Sequence, residues 1–230
     1  MIPFFDSLRD INVLSVSVRM LLAVICGGVI GIEREFKRRP AGFRTHILIC
    51  LGAAMTTLTS QYLYLYMHYY TDMARLGAQV VAGIGFIGAG CIIVTQRRRV
   101  KGLTTAAGLW ASACMGLAIG AGFYECVLLG FLLISLVIRV LPHVENYIVE
   151  NARNMNIYVE FNSLDDVGDI LNRIKSQDVQ IYDVEIDHGR EEKSRHPSAV
   201  FSIHLNHKQM HTQVLAAISE LESVRIIDEI

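Results

Sequence analysis

Charged residues are scarce in this chain, and that shortage restricts what kind of protein it encodes. Asp, Glu, Lys and Arg make up 19% of the 230 residues, whereas soluble domains carry about 25%. The apolar set Ala, Val, Ile, Leu, Met, Phe, Trp, Tyr and Cys makes up 52%, and the mean hydropathy is +0.38. This composition argues against a disordered chain, a collagen-like chain and an ordinary soluble enzyme. It favours a membrane protein.

Neither half of the chain carries a concentrated basic surface. The formal net charge is −1. Residues 1–150 hold 13 Lys and Arg against 8 Asp and Glu, while residues 151–230 hold 8 against 14. The near-neutral total therefore combines a basic, apolar front with an acidic, polar back. A nucleic-acid-binding protein would need one concentrated basic patch, so no nucleic-acid partner is predicted.

Cysteine pairs and catalytic motifs are also missing. The five cysteines fall in apolar stretches without C-x-x-C spacing, which indicates packing residues and neither a disulfide frame nor a zinc site. They are Cys26, Cys50, Cys91, Cys114 and Cys126. The sequence contains no nucleophile–base arrangement, phosphate loop or metalloprotease motif, so the chain is not predicted to be an enzyme.

Five apolar stretches are present, each of about 20 residues, the length at which a helix crosses the bilayer core. They lie at about 11–32, 47–67, 76–95, 103–122 and 123–141. We predict an α-helical membrane bundle over residues 1–145, a linker over 146–153 and a separate domain over 154–230. The turn at 120–122, Gly-Ala-Gly, separates the last two predicted helices.

The cations of the connecting segments predict the orientation of the bundle. They concentrate after the first and third stretches and are nearly absent from the opposite loops. The two basic groups are Arg34, Lys37, Arg38, Arg39 and Arg44, and Arg97, Arg98, Arg99 and Lys101. With basic loops in the cytoplasm, the N-terminus lies outside and the C-terminal domain inside the cell. The tyrosines between residues 62 and 70 then form an aromatic belt at the outer interface.

Glycines are frequent within the apolar stretches. Hydrophobic attraction does not drive helices together in lipid, so small residues are expected to provide close helix contacts. The glycines predicted to do so are Gly27, Gly31, Gly83, Gly85, Gly88 and Gly90. The run 83–88 also matches a dinucleotide-binding fingerprint, but it lies in an apolar stretch with no preceding strand, and we reject that interpretation. A helix break that exposes carbonyls to an ion is the remaining alternative.

Polar and ionisable residues within or beside the apolar stretches are candidate functional residues, because each is costly near the hydrocarbon. They are Arg19, Glu33, Glu35, Arg44, His46, Asp72, Arg75 and Gln79. Interfacial anchoring explains Glu35 without a special role. For Arg19, Glu33 and Asp72 we favour buried polar pairing. The predicted pairs are Arg19 with Asp72 and Glu33 with Arg44.

Several linked motifs over residues 15–135 resemble the MgtC/SapB family. They are Gly31-Ile-Glu-Arg-Glu35, Ala41-Gly-Phe-Arg-Thr-His46, Arg75-Leu-Gly-Ala-Gln79, the glycine run 83–90, and Gly102-Leu-Thr-Thr-Ala-Ala107 followed by Trp110. The resemblance adds Thr104, Thr105 and Trp110 to the candidate functional residues. It implies a bacterial inner-membrane protein linked to growth in low magnesium and to virulence or acid survival. It also implies restraint of the F-type ATP synthase and binding of small membrane peptides.

The residues after 154 show a different pattern. Alternating apolar residues predict strands near 157–161, 179–187, 201–205 and 224–227, with helices between the first and second and between the third and fourth. A capping box is predicted at Ser163, and a change of face near Tyr182. The order β-α-β-β-α-β defines a ferredoxin-like α+β unit, and some MgtC-like proteins carry an ACT-like domain of this topology.

Three histidines of this domain, His204, His207 and His211, are weak candidates for metal binding. The domain has no cysteine, and its acidic residues form no oxygen-ligand loop, so solvent-exposed histidines are the favoured interpretation. No cofactor is predicted, although a divalent cation or small ligand remains an alternative.

Three function classes remain. The favoured one is a non-enzymatic membrane regulator, a homo-oligomer in contact with lipids, that acts through helix contacts with partner proteins. The alternative is an oligomeric cation transporter or channel gated by ligand binding to the cytoplasmic domain, because intramembrane charges commonly mark transport paths. A purely structural scaffold would not require those charges.

Overall fold

A computed structural model describes residues 3–70, 72–94, 100–150, 152–187, 196–206 and 211–229. The chain divides into two compact units, Met1–Pro142 and His143–Ile230. The first unit is helical, and the second contains an antiparallel sheet with helices. The coarse prediction of a helical membrane region joined to an α+β domain is confirmed.

The helical unit opens with a 3-10 helix, Pro3–Leu8, and continues with five α-helices. These are α1 (Val13–Phe36), α2 (Phe43–Leu65), α3 (Arg75–Gly90), α4 (Leu103–Ala121) and α5 (Tyr124–Arg139), after which α6 (Leu141–Glu150) follows. Four helical segments are long and apolar enough to cross a membrane: Val13–Phe36, Phe43–Leu65, Leu103–Ala121 and Tyr124–Glu145. The 16 residues of α3 span only about 24 Å at 1.5 Å per residue.

The predicted third helix is too long at its C-terminal end. It was expected to reach residue 95, but α3 ends at Gly90. Ile93–Val94 forms β1, which pairs antiparallel with β2, Val100–Lys101. The β-branched residues after Cys91 favour an extended backbone over a helix. The predicted basic cluster at 97–99 lies outside the described residues.

The turn between α4 and α5 lies where the Gly-Ala-Gly sequence predicted it. Gly122 follows the last residue of α4 with a φ of +72°, a left-handed conformation that glycine adopts without a steric penalty. The preceding Gly102, at the start of α4, has a φ of +103°. A Cβ atom there would collide with the carbonyl of Cys91. Both ends of α4 therefore depend on glycine.

Glycines bring α1, α2 and α4 into close backbone contact. A Cβ atom added at Gly27 would lie 2.7 Å from the carbonyl oxygen of His46, and one at Gly31 would lie 2.8 Å from the Cα of Phe43. On α4, a Cβ at Gly120 would lie 2.5 Å from the carbonyl oxygen of Ala54. Small residues thus permit the closest approaches in the helical unit, as expected for helices in lipid.

Most glycines of α3 do not make the close helix contacts that the sequence predicts. A Cβ atom added at Gly83, Gly85 or Gly90 would meet no atom of the described chain within 4 Å. At Gly88 it would lie 3.3 Å from the Cβ of Ala106 on α4. Gly83, Gly85 and Gly90 therefore make no close helix contact within the described part of the chain, and their packing role stays a prediction for contacts with another helix.

The C-terminal unit has the predicted element order. Its elements are β3 (Asn154–Phe161), α7 (Val167–Lys175), β4 (Val179–Asp187), β5 (Ser198–Leu205), α8 (His211–Ser219) and β6 (Val224–Glu229). The strands lie in the order β4-β5-β3-β6, and all neighbours are antiparallel. Fully buried Ile157, Phe161, Phe201, Ile174 and Ile218 from strands and helices form its core.

Two local features of this unit were also predicted. Ser163 forms a capping box with Asp166 at the start of a 3-10 helix, Leu164–Asp166, which leads directly into α7. The register of β4 against β5 shifts between Ile181 and Asp183, so the extra residue Tyr182 forms a bulge and accounts for the change of face.

Candidate functional site

Two polar clusters lie along α1 in the helical unit. The first, which we call the Arg19 cluster, contains Arg19, Gln61 and Tyr124. The second, the Arg34 cluster, contains Arg34 and Thr105, which share a hydrogen bond, together with Glu33 and His46, which lie close enough to Arg34 for electrostatic interaction. Arg19 and Arg34 are 15 residues apart on one helix, so the two clusters differ in position by about 22 Å along its axis.

Arg19 is completely buried, and each of its five N–H donors has an acceptor within 3.4 Å. Nη1 donates to Gln61 Oε1 at 3.0 Å and to the Gly120 carbonyl at 2.8 Å. Nη2 donates to the carbonyls of Leu8 at 2.9 Å and Arg9 at 2.7 Å, and Nε to the Tyr124 hydroxyl at 3.4 Å. A guanidinium has five N–H donors, so none remains for a ligand.

The predicted pair of Arg19 with Asp72 is wrong. Asp72 is exposed, and its carboxylate accepts a hydrogen bond from the Ala74 amide at 2.9 Å just before α3. The Arg19 guanidinium instead donates hydrogen bonds to backbone carbonyls at the C-terminal end of α4 and in the N-terminal segment. Such carbonyls lack intrahelical partners and attract cations.

The surroundings of Arg19 connect the N-terminal segment to α5. Arg9 forms an ion pair with Glu125 at 2.6 Å, and the Tyr124 hydroxyl donates to the Leu8 carbonyl at 3.0 Å. A Cβ at Gly122 would lie 2.9 Å from Arg19 Nη2. The Arg19 cluster therefore joins α1, α2, α4, α5 and the 3-10 helix, and its chemistry is structural.

Polar atoms in the Arg34 cluster are less completely bonded. Arg34 is 5% exposed, and its Nη2 donates to Thr105 Oγ1 at 3.4 Å. His46 is fully buried, with Nδ1 at 2.9 Å from the Gly42 carbonyl. Arg34 Nε and His46 Nε2 have no hydrogen-bond partner among the described residues. A polar atom left in that state costs about 1–3 kcal/mol, so Arg34 Nε is a candidate donor to a ligand, and His46 Nε2 is a candidate for binding a ligand or a proton.

Glu33 adds a carboxylate to this cluster, but its partner differs from the predicted one. Its Oε1 forms an ion pair with Lys37 Nζ at 2.5 Å, one helical turn later, and not with Arg44. Arg44 is exposed. The i to i+4 spacing places Lys37 over Glu33 on one helix face, a local contact that the longer-range prediction overlooked.

The Arg34 cluster is not a preformed metal site. Within the described residues, no three His, Cys, Asp or Glu side chains are arranged to hold a metal ion. A hard cation such as Mg²⁺ requires close to octahedral oxygen coordination, whereas one carboxylate, one hydroxyl and one imidazole are available here. The cluster can bind or relay a proton, or contribute part of a hydrated ion's shell.

The remaining predicted residues lie apart from these clusters. Glu35 Oε2 accepts a hydrogen bond from the Phe43 amide at 3.1 Å. The other side chains are exposed on the helical unit; they are Arg75, Gln79, Thr104 and Trp110. Arg34 and Thr105 are thus hydrogen-bonded to each other, whereas the predicted residues of α3, Arg75 and Gln79, are exposed.

The histidines of the C-terminal unit make separate contacts. His211 lies 2.7 Å from Glu229 Oε1 and 2.8 Å from the Ala152 carbonyl. His204 contacts Asn154 Oδ1 at 2.5 Å. His207 lies outside the described residues. His204 and His211, the two predicted metal candidates that the structure describes, thus contact different partners at different places in the fold.

Sequence reasoning missed Gln61 and Tyr124, which bond Arg19 directly. Both carry a signal in the sequence. Gln61 is an amide within an otherwise apolar stretch, and Tyr124 follows the glycine turn that ends α4. A buried cation needs several acceptors, so these residues could have been considered beside Asp72.

Comparison with known proteins adds a family match. The model of the MgtC family matches residues 20–147. SapB of Bacillus subtilis is 36% identical over 177 residues, which cover 74% of this chain and 76% of SapB. YhiD of Escherichia coli, whose name proposes a magnesium transporter, is 42% identical over 54% of this chain and 59% of its own length. No solved structure matches this chain.

The MgtC protein of Salmonella typhimurium is 40% identical over 118 residues, which cover 51% of this chain and 48% of that protein. The similarity to MgtC and YhiD thus extends over about half of this chain, whereas the similarity to SapB extends over about three quarters of it.

Proposed function

The chain belongs to the MgtC family, and from that premise we propose that it is an inner-membrane protein of magnesium homeostasis that regulates partner proteins. In this proposal it acts through contacts between its helices and those of its partners and carries out no enzymatic reaction. The partners proposed are further copies of the chain, small membrane peptides and the F-type ATP synthase.

The exposed side of α3 is the observation that supports this proposal. The buried residues of α3 are Ile84 and Gly88, on one side of the helix, while Phe86 is 87% exposed. Gly83 and Gly90, one heptad apart, have open space where a side chain would be. Small residues of this kind allow the backbone of a second helix to approach closely in lipid. This side of α3 therefore suits a helix from another chain.

The Arg19 cluster favours regulation over transport. An intramembrane arginine often marks a transport path, but every donor of Arg19 is bonded within the protein. Removing it from those carbonyls to bind a passing solute would break five contacts. We therefore assign this charge to the assembly of the bundle.

The orientation in this proposal places the N-terminus outside and the C-terminal ACT-like unit in the cytoplasm. The basic connector between α1 and α2 supports it through the positive-inside preference. Tyrosines at the opposite end of α2 support it too, since Tyr62 and Tyr66 are about half exposed and stack with ring centroids 5.3 Å apart.

An oligomeric cation transporter or channel is the second candidate, because the Arg34 cluster contains buried polar atoms without partners among the described residues. The name of the relative YhiD points in the same direction. In this alternative the ion path would form where copies of the chain meet, and Glu33 would supply its negative charge.

Flux through the purified full-length protein in liposomes separates the two candidates. We expect no saturable magnesium, proton or potassium flux above that of empty liposomes. Saturable flux that is lost in Glu33→Gln would overturn the regulatory proposal and establish the alternative.

Partner binding tests the α3 surface directly. We expect Gly83→Leu to reduce co-purification of membrane partners, including subunits of the F-type ATP synthase, by roughly an order of magnitude, since an overpacked contact costs about 1–3 kcal/mol. Gly52→Leu is the matched control: it lies on α2 and is equally open. Equal binding by the two variants would contradict the proposed role of α3.

A further inference from the structure

A cavity of about 760 Å³ lies between the end of α1 and the start of α2. Its lining has two chemically distinct parts. The apolar part includes Ile32, Phe36 and Phe43, and the polar part includes Arg39, Arg44 and Thr45. We call this cavity the connector pocket. It shares no residue with the Arg34 cluster or with the exposed side of α3.

We infer that the connector pocket binds the phosphate headgroup of an anionic phospholipid. The inference stands independently of the proposed regulatory function. It depends on the shape of the pocket, the sign of its charge and its position at the ends of two membrane-spanning helices.

The charge of the connector pocket favours an anion. Arg39 and Arg44 are both exposed, and neither guanidinium has an ion pair or hydrogen bond with the described part of the chain. Glu35 contributes one opposing charge, and its Oε2 accepts the Phe43 amide at 3.1 Å. Two cations against one carboxylate leave a net positive charge, and guanidinium groups match phosphate geometry through paired N–H donors.

The apolar lining distinguishes a lipid from a free anion. Phe36 is 82% exposed and Phe43 is 39% exposed beside the two arginines. Helices that span the bilayer place their ends at headgroup depth, where a lipid presents a phosphate next to acyl chains. A pocket lined by both guanidinium groups and aromatic rings fits both parts of that molecule.

The main competing explanation is diffuse attraction. A cluster of cations near a membrane attracts anionic lipids whatever its shape, and each Lys or Arg contributes a similar amount. The chain offers a direct comparison, because Arg38 lies in the same connector but does not line the pocket. Binding at a defined site requires Arg39 and Arg44 and tolerates loss of Arg38.

Native mass spectrometry of the detergent-purified full-length protein tests the inference with dioleoyl phosphatidylglycerol as the probe. Loss of a pocket cation by Arg44→Gln or Arg39→Gln should weaken phosphatidylglycerol binding about fivefold. Arg38→Gln should change it less than twofold. Glu35→Gln keeps an oxygen acceptor for the Phe43 amide but removes the opposing charge, so it should strengthen binding.

Two further probes identify the source of the phosphate. Dioleoyl phosphatidylcholine, which carries no net charge, should bind more weakly than phosphatidylglycerol, and millimolar inorganic phosphate should not displace the bound lipid. Equal losses in Arg38→Gln and Arg44→Gln would overturn the inference in favour of diffuse attraction. Equal binding of the two lipids, or displacement by inorganic phosphate, would overturn it as well. Glu35→Gln and Arg39→Gln keep the test decisive if Arg44→Gln fails to fold.

Discussion

The helical unit buries several polar side chains besides its apolar ones, whereas the core of the C-terminal unit is almost entirely apolar. In the C-terminal unit, the largest side chains without exposure are apolar, as Phe161 and Phe201 illustrate. In the helical unit, Arg19 and His46 are fully buried, while Phe86 on α3 is 87% exposed. The distribution in the C-terminal unit is the one expected in water, and that in the helical unit is the one expected in lipid.

This difference means that the two units depend on different forces. Water drives Phe201 into a core because burying apolar surface is favourable. Lipid provides no such force between helices. There, close glycine contacts and hydrogen bonds to buried polar groups must hold the helices together. Mutations of the same type should therefore have different effects in the two units.

Removing the buried cation of the helical unit should have the largest effect. Arg19→Ala removes the donor of five hydrogen bonds, two of them buried and three partly buried, and each loss costs about 1–3 kcal/mol, so we expect destabilisation of at least about 5 kcal/mol. The temperature at which the detergent-solubilised protein loses its monodisperse elution peak measures this loss. Arg19→Lys retains the charge with three donors and should be intermediate. Wild-type stability in Arg19→Ala would show that these bonds do not hold the bundle.

A cavity in the core of the C-terminal unit should have the next largest effect. Phe201→Ala removes a fully buried ring and should cost about 3–5 kcal/mol. Hydrogen exchange of the full-length chain should report faster exchange in β3, β4 and β5. Tyr182→Ala is the control, because Tyr182 is 68% exposed and its loss should change stability by less than about 0.5 kcal/mol. Similar amide exchange rates in Phe201→Ala and Tyr182→Ala would contradict the conclusion that the burial of apolar side chains stabilises this unit.

The fold of the C-terminal unit could be predicted closely because its determinants are local in sequence. Alternating Ile157, Val159 and Phe161 marked a strand, and the bounds of β4 match the prediction. Even the bulge at Tyr182 was visible as a break in the alternation. In water, the side that is apolar is also the side that is buried, so pattern and structure coincide.

The candidate site was less predictable because its contacts are not encoded in a local sequence pattern. In the helical unit nearly every position is apolar, so the sequence does not reveal which side of a helix faces its neighbours. The partners of Arg19 are mostly backbone carbonyls, and a carbonyl is present at every residue. Likewise, Gly83 and Gly27 look alike in the sequence. A Cβ at Gly83 would meet no described atom within 4 Å, whereas a Cβ at Gly27 would meet the backbone of His46.

That contrast between glycines predicts opposite signs for one substitution. Gly27→Ala places a Cβ 2.7 Å from the carbonyl oxygen of His46, and such overpacking should cost about 1–3 kcal/mol. Gly52→Ala meets nothing within 4 Å among the described residues and should stabilise α2 by about 0.5–1 kcal/mol through helix propensity. Thermal unfolding of both variants in the same detergent checks the difference. A stabilising effect of Gly27→Ala would rule out glycine-mediated contact between α1 and α2 at this position.

The smallest effect should be the same in both units. Each unit contains a capping box: Asn12 Oδ1 accepts the Ser15 amide at 2.8 Å before α1, and Ser163 bonds with Asp165 and Asp166 before α7. A cap satisfies backbone amides next to it in sequence, and replacing it by Ala costs about 1 kcal/mol. Because this chemistry does not depend on the solvent around the rest of the unit, Asn12→Ala and Ser163→Ala should increase amide exchange by similar factors, in the first turn of α1 and in the 3-10 helix that Ser163 caps. A large effect in one unit alone would show that the surrounding solvent also determines how strongly a helix end is held.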